Sequence, residues 1–198
     1  MIVTFATKVG SAPATTTLHF GEGLDANEVI PRLWQGAAPP AGKLDFDVLV
    51  LAADSNQPPA SDFPGVKIIR VPLNDPTNQF YKAEQAPAVQ AALQVAQAYL
   101  TGDRILVTCQ RGWNRSGLIV ALALQFLGVD ANRSIDLVRA ARGADALSNT
   151  AFADFVRAFR PTVLTAPPTD KTKLPKLLTL LGGAILAAAA FCWGVGRR

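Results

Sequence analysis

One short stretch of the chain combines a cysteine, a glycine and an arginine at a spacing that suits phosphate chemistry. Its residues are Cys109, Gln110, Arg111, Gly112, Trp113, Asn114, Arg115 and Ser116. An apolar segment of strand length, 104–108, runs into the cysteine, and a long apolar segment, 116–127, follows the loop. A strand–loop–helix turn curls successive backbone amides around one point, and the helix N-terminus adds unpaired amides and a positive dipole end. The sequence therefore predicts an anion cradle sized for a phosphate.

Four residue types in this stretch have a chemical use. The field that attracts a phosphate also stabilises a thiolate, so Cys109 is expected to be nucleophilic near neutral pH. Arg115 can offer two parallel N–H donors to two phosphate oxygens. Gly112 allows a backbone conformation that is closed to other residues. Ser116 could donate a hydrogen bond to the thiolate when that thiolate becomes the leaving group.

The other loop residues are candidates for substrate contact. Gln110 and Asn114 complete the predicted phosphate-binding loop. Arg111 either widens the basic field toward a second anion or is simply solvated, and the sequence favours neither. Trp113 either forms a pocket rim that stacks on a ring or lid, which we favour slightly, or packs on the domain surface.

The segments around this loop predict an α/β domain. Apolar runs of strand length indicate buried strands, and a strand that ends at a Gly turn precedes them; they cover 29–36, 46–52, 66–73 and 104–108. Helical periodicity follows in 89–100, which ends at Gly102, and in 116–127, 135–141 and 152–159. Along the chain, strands and helices alternate at first, and only helices follow after the last strand. This order predicts a central, mostly parallel sheet with helices on both faces.

The cysteine, the arginine six residues later and the serine after it resemble the signature of the protein tyrosine phosphatase superfamily, and the flanks are similar to its dual-specificity branch. The resemblance covers about 29–159. Segment 31–36 is similar to the opening strand of that family, 71–75 to the segment that bears its general acid, and 139–142, Asn149 and Phe152 to its closing helices. The resemblance implies a dual-specificity phosphatase-like domain over 29–160, a phosphocysteine intermediate, Asp75 as general acid, and no metal or other cofactor.

Two positions leave room for other interpretations. The family usually has histidine before its cysteine, where it helps to hold the loop, and this chain has Thr108, so its activity is expected to be lower. Asp75 precedes a proline and could instead be an ordinary turn residue. Three functions therefore remain: a phosphatase acting on phosphoserine, phosphothreonine and phosphotyrosine; a phosphoinositide or small-molecule phosphatase of the same mechanism; or a catalytically silent phosphate-binding module.

The two ends of the chain differ from the domain in composition. Residues 1–28 are predicted to form an arm or an extra hairpin and lack the pattern of a signal peptide. Residues 161–176 are rich in proline and lysine, which predicts a stiff linker. Residues 177–196 carry no charge and match the length of a membrane-spanning helix, although a buried core helix is an alternative. With lysines on the domain side, we expect a tail-anchored, single-pass membrane protein whose catalytic domain is cytoplasmic.

Charge and cysteine content narrow the function further. Five of the nineteen positive charges lie at the C-terminal end, so the net charge of +4 does not predict a nucleic-acid surface. The chain has two cysteines in very different contexts and one isolated histidine, His19. No disulfide framework and no metal site are predicted. The expected partners are a phosphorylated protein, or a phosphoinositide, and the membrane that holds the tail.

Overall fold

Five strands and four α-helices make up residues 23–165, the part of the chain that this computed structural model describes. In chain order they are β1 (Ala26–Ile30), β2 (Leu33–Gly36), β3 (Val48–Ala53), β4 (Lys67–Leu73), α1 (Lys82–Thr101), β5 (Ile105–Thr108), α2 (Arg115–Phe126), α3 (Ala131–Arg142) and α4 (Thr150–Ala158). No helix within 23–165 is long and apolar enough to cross a membrane. The predicted membrane helix at 177–196, most of the arm at 1–28 and most of the linker at 161–176 lie outside the described residues.

The sheet is mixed, with β5 at its centre. The strand order is β1-β2-β5-β3-β4; β2, β5, β3 and β4 run parallel, and β1 is antiparallel to β2. The predicted mostly parallel sheet is therefore confirmed. Segment 29–36, however, is not one strand: Arg32 has φ of 71°, and the turn that it makes with Pro31 joins β1 to β2 as a hairpin. Because β1 begins at Ala26, the predicted boundary between arm and domain falls inside this strand.

The two faces of the sheet are covered differently. Side chains of one face, such as Val50 and Val107, pack in a core with all four α-helices. The opposite face presents Leu49, Leu51 and Leu106 to aromatic side chains, among them Phe46 and Phe63 from the loops that flank β3 and β4. The prediction of helices on both faces is wrong for residues 23–165. The apolar runs correctly indicated two buried faces, but loop aromatics bury the second.

The central helix α2 carries the site into the core. All twelve of its residues are buried, as its apolar sequence predicts, and it packs against α1, α3 and α4. Its first residue is Arg115 and its N-cap residue, Asn114, makes no side-chain capping bond. The first amides of α2 are therefore left to whatever lies in front of the helix.

Candidate active site

The candidate site lies at the edge of the sheet where the parallel strands end. Asp54 directly follows β3, Asp75 follows β4, and Cys109 directly follows β5. Ligands of open α/β sheets bind in the crevice outside the carboxyl ends of the strands. A cavity of about 220 Å³ occupies this place, and it is lined by Asp75, Cys109, Gln110, Arg111, Trp113, Asn114 and Arg115. The structure therefore brings Asp75 to the predicted loop, although the two are far apart in sequence.

Most residues of the 109–114 loop line this cavity, and their backbone amides and carbonyls differ in hydrogen bonding. The amide nitrogens of residues 110–114 donate no hydrogen bond to any described residue. Consecutive backbone amides without a protein acceptor, placed at a helix N-terminus beside a cavity, are the donors that an anion site requires. The carbonyl oxygens of Arg111, Gly112 and Trp113, in contrast, accept hydrogen bonds from side chains behind the loop. Free amides on a loop whose carbonyl oxygens are hydrogen-bonded elsewhere are the arrangement predicted for a phosphate cradle.

Cys109 lies at the base of the cradle. Its side chain is 4 % exposed, and its Sγ is 3.3 Å from Ser116 Oγ, a distance at which the hydroxyl can donate to a thiolate. The Cys109 amide donates to Gly36 O at 3.3 Å and so joins the start of the loop to the end of β2. Ser116 itself is fully buried in α2 and does not line the cavity. Its predicted contact with the sulfur is present in the structure.

Arg115 is buried, 7 % exposed, and is held by long hydrogen bonds. Its Nη1 lies 3.4 Å from Asp54 Oδ1 and 3.3 Å from Leu73 O, and its Nη2 lies 3.5 Å from Gln110 Oε1. Its Nε has no hydrogen-bond partner among the described residues. A buried guanidinium N–H without a partner is costly, so this donor fits a group that accepts hydrogen bonds in the cavity.

Asp75 is held at the cavity by two asparagine amides. Asn114 Nδ2 donates to Asp75 Oδ2 at 3.1 Å, and Asn149 Nδ2 donates to Asp75 Oδ1 at 3.0 Å. Asn149, which caps α4, also donates to the carbonyl oxygens of Pro76 and Gln79. The segment after β4 is thereby tied to α4 and to the 109–114 loop. Asp75 thus lines the same cavity as Cys109, the position that a general acid would need.

Gly112 shapes the loop rather than lining the cavity. Its φ is +71°, a region that favours glycine. A Cβ atom added there would lie 2.4 Å from the carbonyl carbon of Gly36, so the two backbones touch directly. Gly36 is confined in turn, because a Cβ atom on it would lie 2.6 Å from Asp25 O. The prediction that position 112 needs glycine is confirmed, and its reason is both conformational and steric.

Arg111 and Trp113 stand at the mouth of the cavity. Both line it, Trp113 is 36 % exposed, and the Arg111 guanidinium lies 5.9 Å from the centre of the Trp113 ring. A cation this close to an aromatic face is attracted by it. The Trp113 ring therefore has the exposure that a pocket rim requires, and Arg111 adds positive charge beside it.

Solved structures share this arrangement of strands and helices. No protein-family model matches the sequence, and no curated protein matches it. Human DUSP28 matches with a TM-score of 0.54 and 21% identity, over 67% of this chain and 93% of its own. The active form of Tk-PTP matches with a TM-score of 0.54 and 18% identity, over 68% and 95%. A mouse protein assigned as a dual specificity phosphatase and complexed with zinc tungstate gives 0.55 and 24%, over 76% and 91%.

The chain has the fold of the dual-specificity phosphatases. The position before the cysteine holds Thr108, where the resemblance implies a histidine. The Thr108 hydroxyl is buried and donates to Val50 O at 2.8 Å, which joins β5 to β3. Thr108 therefore secures the strand that leads into Cys109, and the loop carbonyls are held by the side chains of other residues.

One of those side chains is Arg142, at the end of α3. Its side chain is 5 % exposed and donates from Nε to Gly112 O at 3.2 Å and from Nη2 to Arg111 O at 3.4 Å. Its guanidinium is fixed by Asp25, at 2.7 and 3.1 Å, and by Asn27 Oδ1 at 2.6 Å. Arg142 thus clamps the back of the loop to β1 and to the residue just before β1, a role that the local sequence around Arg142 does not indicate.

Three other contacts at the site were not predicted from the sequence. Asp54 lies against Arg115, Asn149 holds Asp75, and Gln35 lies behind the loop. Two of them carry a signal in the sequence. Asp54 follows a buried strand, as Asp75 does, and Gln35 is a polar residue within a short strand that is otherwise apolar. Asn149 was noted only as part of a closing helix.

The Asp25–Arg142 pair predicts an acid-sensitive contribution to stability. Hydrogen bonds from Arg142 hold the pKa of Asp25 below its ordinary value, against a smaller opposing effect of burial. A lowered folded-state pKa means that the contribution is present above the ordinary aspartate value of about 3.9 and is lost as pH falls through the folded-state pKa. We expect Asp25→Asn to lower the free energy of unfolding at pH 7 by less than about 1 kcal/mol, because Asp25 is 67% exposed. Urea unfolding from pH 7 to 2.5 should show this difference shrinking below about pH 4; a constant difference would contradict it.

Proposed function

We propose that this protein is a cysteine-dependent phosphatase that hydrolyses phosphate monoesters of protein side chains through a phosphocysteine intermediate. One observation carries the proposal. Four of the five free amides, the unpartnered Nε of Arg115 and the Asp75 side chain belong to residues that line the cavity with the Cys109 sulfur at its base. A thiolate needs an anion-stabilising environment to be the attacking form, and the phosphoryl oxygens need the same donors.

The proposed reaction has two steps. The Cys109 thiolate attacks phosphorus, an S–P bond forms, and the bond from phosphorus to the substrate oxygen breaks while the Asp75 carboxyl gives that oxygen a proton. Water then attacks the phosphocysteine, and Asp75 accepts a proton from it. The S–P bond breaks, inorganic phosphate leaves, and Ser116 donates to the returning thiolate. The loop amides and Arg115 balance the charge of the phosphoryl oxygens in both steps.

The surroundings of the cavity favour a protein substrate over a phosphoinositide. Next to it lies a second hollow, of about 200 Å³, lined by Asp75, Pro76, Thr77, Asn78, Asn114, Ser148 and Asn149. These side chains include hydroxyls, amides and one carboxylate, but no cation. They suit the hydrogen-bonding groups of a peptide backbone, whereas an additional phosphate of an inositol ring would require lysine or arginine there.

We also propose that segment 177–196 anchors the protein in a membrane, on the strength of its uncharged sequence. If the anchor exists, a chain truncated after residue 165 should leave the membrane fraction in which the full chain is found.

The test of the proposed function is turnover by the full-length protein in detergent. We expect hydrolysis of an aryl phosphate, and a kcat/KM for phosphopeptides at least about tenfold above that for phosphoinositides in mixed micelles. Micelles present both substrates to the cavity without a fixed membrane orientation. A preference for phosphoinositide would overturn the substrate class and leave the cysteine chemistry standing. Tungstate binding without turnover of any of these substrates would support the silent module instead.

A further inference from the structure

Behind the 109–114 loop lies a buried amide side chain that packing alone does not explain. Gln35 is fully buried in β2, opposite Val107 of β5. Its Nε2 donates to Gly112 O at 3.0 Å and to Trp113 O at 3.3 Å. Its Oε1 has no hydrogen-bond partner among the described residues. An apolar side chain of similar length would fill this space without burying an unpaired oxygen, so the amide is retained at a cost.

The two carbonyls that Gln35 holds belong to consecutive peptide units of the loop. A trans peptide is planar, and its C=O and N–H point in opposite directions. Fixing the carbonyls of Gly112 and Trp113 behind the loop therefore directs the N–H groups of Trp113 and Asn114 to the other side. These two N–H groups are among the five that donate to no described residue. A hydrogen bond to the carbonyl also polarises the peptide unit and makes its N–H a stronger donor.

Other contacts behind the loop act elsewhere or on only one of these carbonyls. Arg142 holds Arg111 O and Gly112 O, and Thr108 is engaged with Val50 O. At Trp113 O the other donor is the amide of Leu147, at 3.4 Å. Gln35 is therefore the side chain that spans both peptide units.

We propose that Gln35 is a positioning residue of the oxyanion cradle, which aims the amide hydrogens of Trp113 and Asn114 at the bound phosphoryl group. This role depends on the proposed function in one respect: the oxyanion that the loop binds during the reaction is the phosphoryl group of the substrate. It concerns the binding of an oxyanion by the loop, which can be measured without turnover. The proposal and the phosphatase assignment can therefore fail separately.

The test is Gln35→Met in the full-length protein, with tungstate as the oxyanion probe. Methionine keeps the length and volume of the side chain and removes both its polar atoms. We expect tungstate affinity, measured by calorimetry, to fall about tenfold, which is the effect of losing one or two hydrogen bonds that orient charged-group donors. In amide spectra, the tungstate-induced shifts of Trp113 and Asn114 should shrink, while that of Gln110 is retained.

Gln125→Met is the matched control. Gln125 is also a buried glutamine, 5 % exposed, and its Nε2 donates to Val156 O at 2.9 Å at the far end of α2. This variant should lose thermal stability and keep the wild-type tungstate affinity, because its lost bond lies away from the loop. If Gln35→Met does not fold, Gln35→Asn replaces it, since the shorter amide cannot span both carbonyls.

Two outcomes separate the claims. Wild-type tungstate affinity in a folded Gln35 variant would overturn the positioning role, whatever the activity of the enzyme. A wild-type protein that binds tungstate but hydrolyses no phosphate ester would overturn the phosphatase assignment, and a weakened Gln35 variant would still support the positioning role. Equal losses of affinity in the Gln35 and Gln125 variants would also overturn it, because they would indicate a general effect of destabilisation.

Discussion

Cys109→Ser is expected to reduce phosphate-ester hydrolysis by about 10⁴-fold or more, because the substitution removes the group that forms the intermediate. A serine hydroxyl at this position keeps the size of the side chain but is not ionised near neutral pH. The donors around it are backbone amides and Arg115, which the substitution leaves in place. Steady-state hydrolysis of an aryl phosphate by the full-length protein measures the loss.

Oxyanion binding provides the internal control for this prediction. The serine variant should bind tungstate with an affinity within about tenfold of wild type, since the cradle is built from other groups. Cys192→Ser is the thiol-matched control, because Cys192 is the other cysteine of the chain and lies outside the described residues. It should keep full activity. More than about one per cent of wild-type turnover in Cys109→Ser would rule out the phosphocysteine pathway.

Asp75→Asn is expected to slow the cleavage of alkyl phosphates by about 10²- to 10⁴-fold, the usual contribution of a general acid. A phosphoserine peptide expels an alkoxide, which needs a proton as it leaves. 4-Nitrophenyl phosphate expels a stable phenolate, so its hydrolysis should fall by less than about tenfold at the first step. The ratio of the two losses identifies proton donation, which a change in loop position would not produce.

Asp54→Asn is the matched control for Asp75→Asn. Asp54 is a nearby carboxylate, but it contacts Arg115 at 3.4 Å instead of lining the cavity. Its loss should weaken the hold on the guanidinium and slow both substrates by the same factor. If Asp75→Asn slowed the hydrolysis of both substrates by the same factor, Asp75 would act by positioning the loop and not as the general acid. Retained tungstate affinity in Asp75→Asn would show that the cradle is intact in that variant.

Much of the fold was predictable because buried strands and helices leave periodic apolar patterns. The strands around Val50, Val71 and Val107, and the helix stop at Gly102, are where the sequence placed them. The second face of the sheet was not predictable, because a continuous apolar run indicates that both faces are buried and not what buries them. Phe46 stands at the start of the predicted strand 46–52 and Phe63 in a segment with no periodic pattern, and only the chain path brings both onto this face of the sheet.

The site was predictable where the local sequence builds it. The 109–114 loop, the Cys109–Ser116 contact and the need for Gly112 follow from consecutive residues, and the structure contains all of them. The contacts that hold the loop from behind join residues far apart in the chain. Arg142 meets Asp25 across 117 positions, and Gln35 meets Gly112 across 77. Spacing in one sequence does not encode such pairs, although a polar residue in a buried strand marks one partner.

The direct contact between Gly112 and Gly36 limits how this protein can change its specificity. The backbone of the 109–114 loop touches that of β2 where Gly112 meets Gly36, and Gly36 is confined in turn by Asp25 O and the Ala26 Cβ. A side chain added at either glycine would push the loop away from β2, so these two positions cannot be varied to adjust the site. New substrates would have to be accommodated by the outward-facing positions, Gln110, Arg111 and Trp113, which makes these three the positions to randomise in a directed-evolution library.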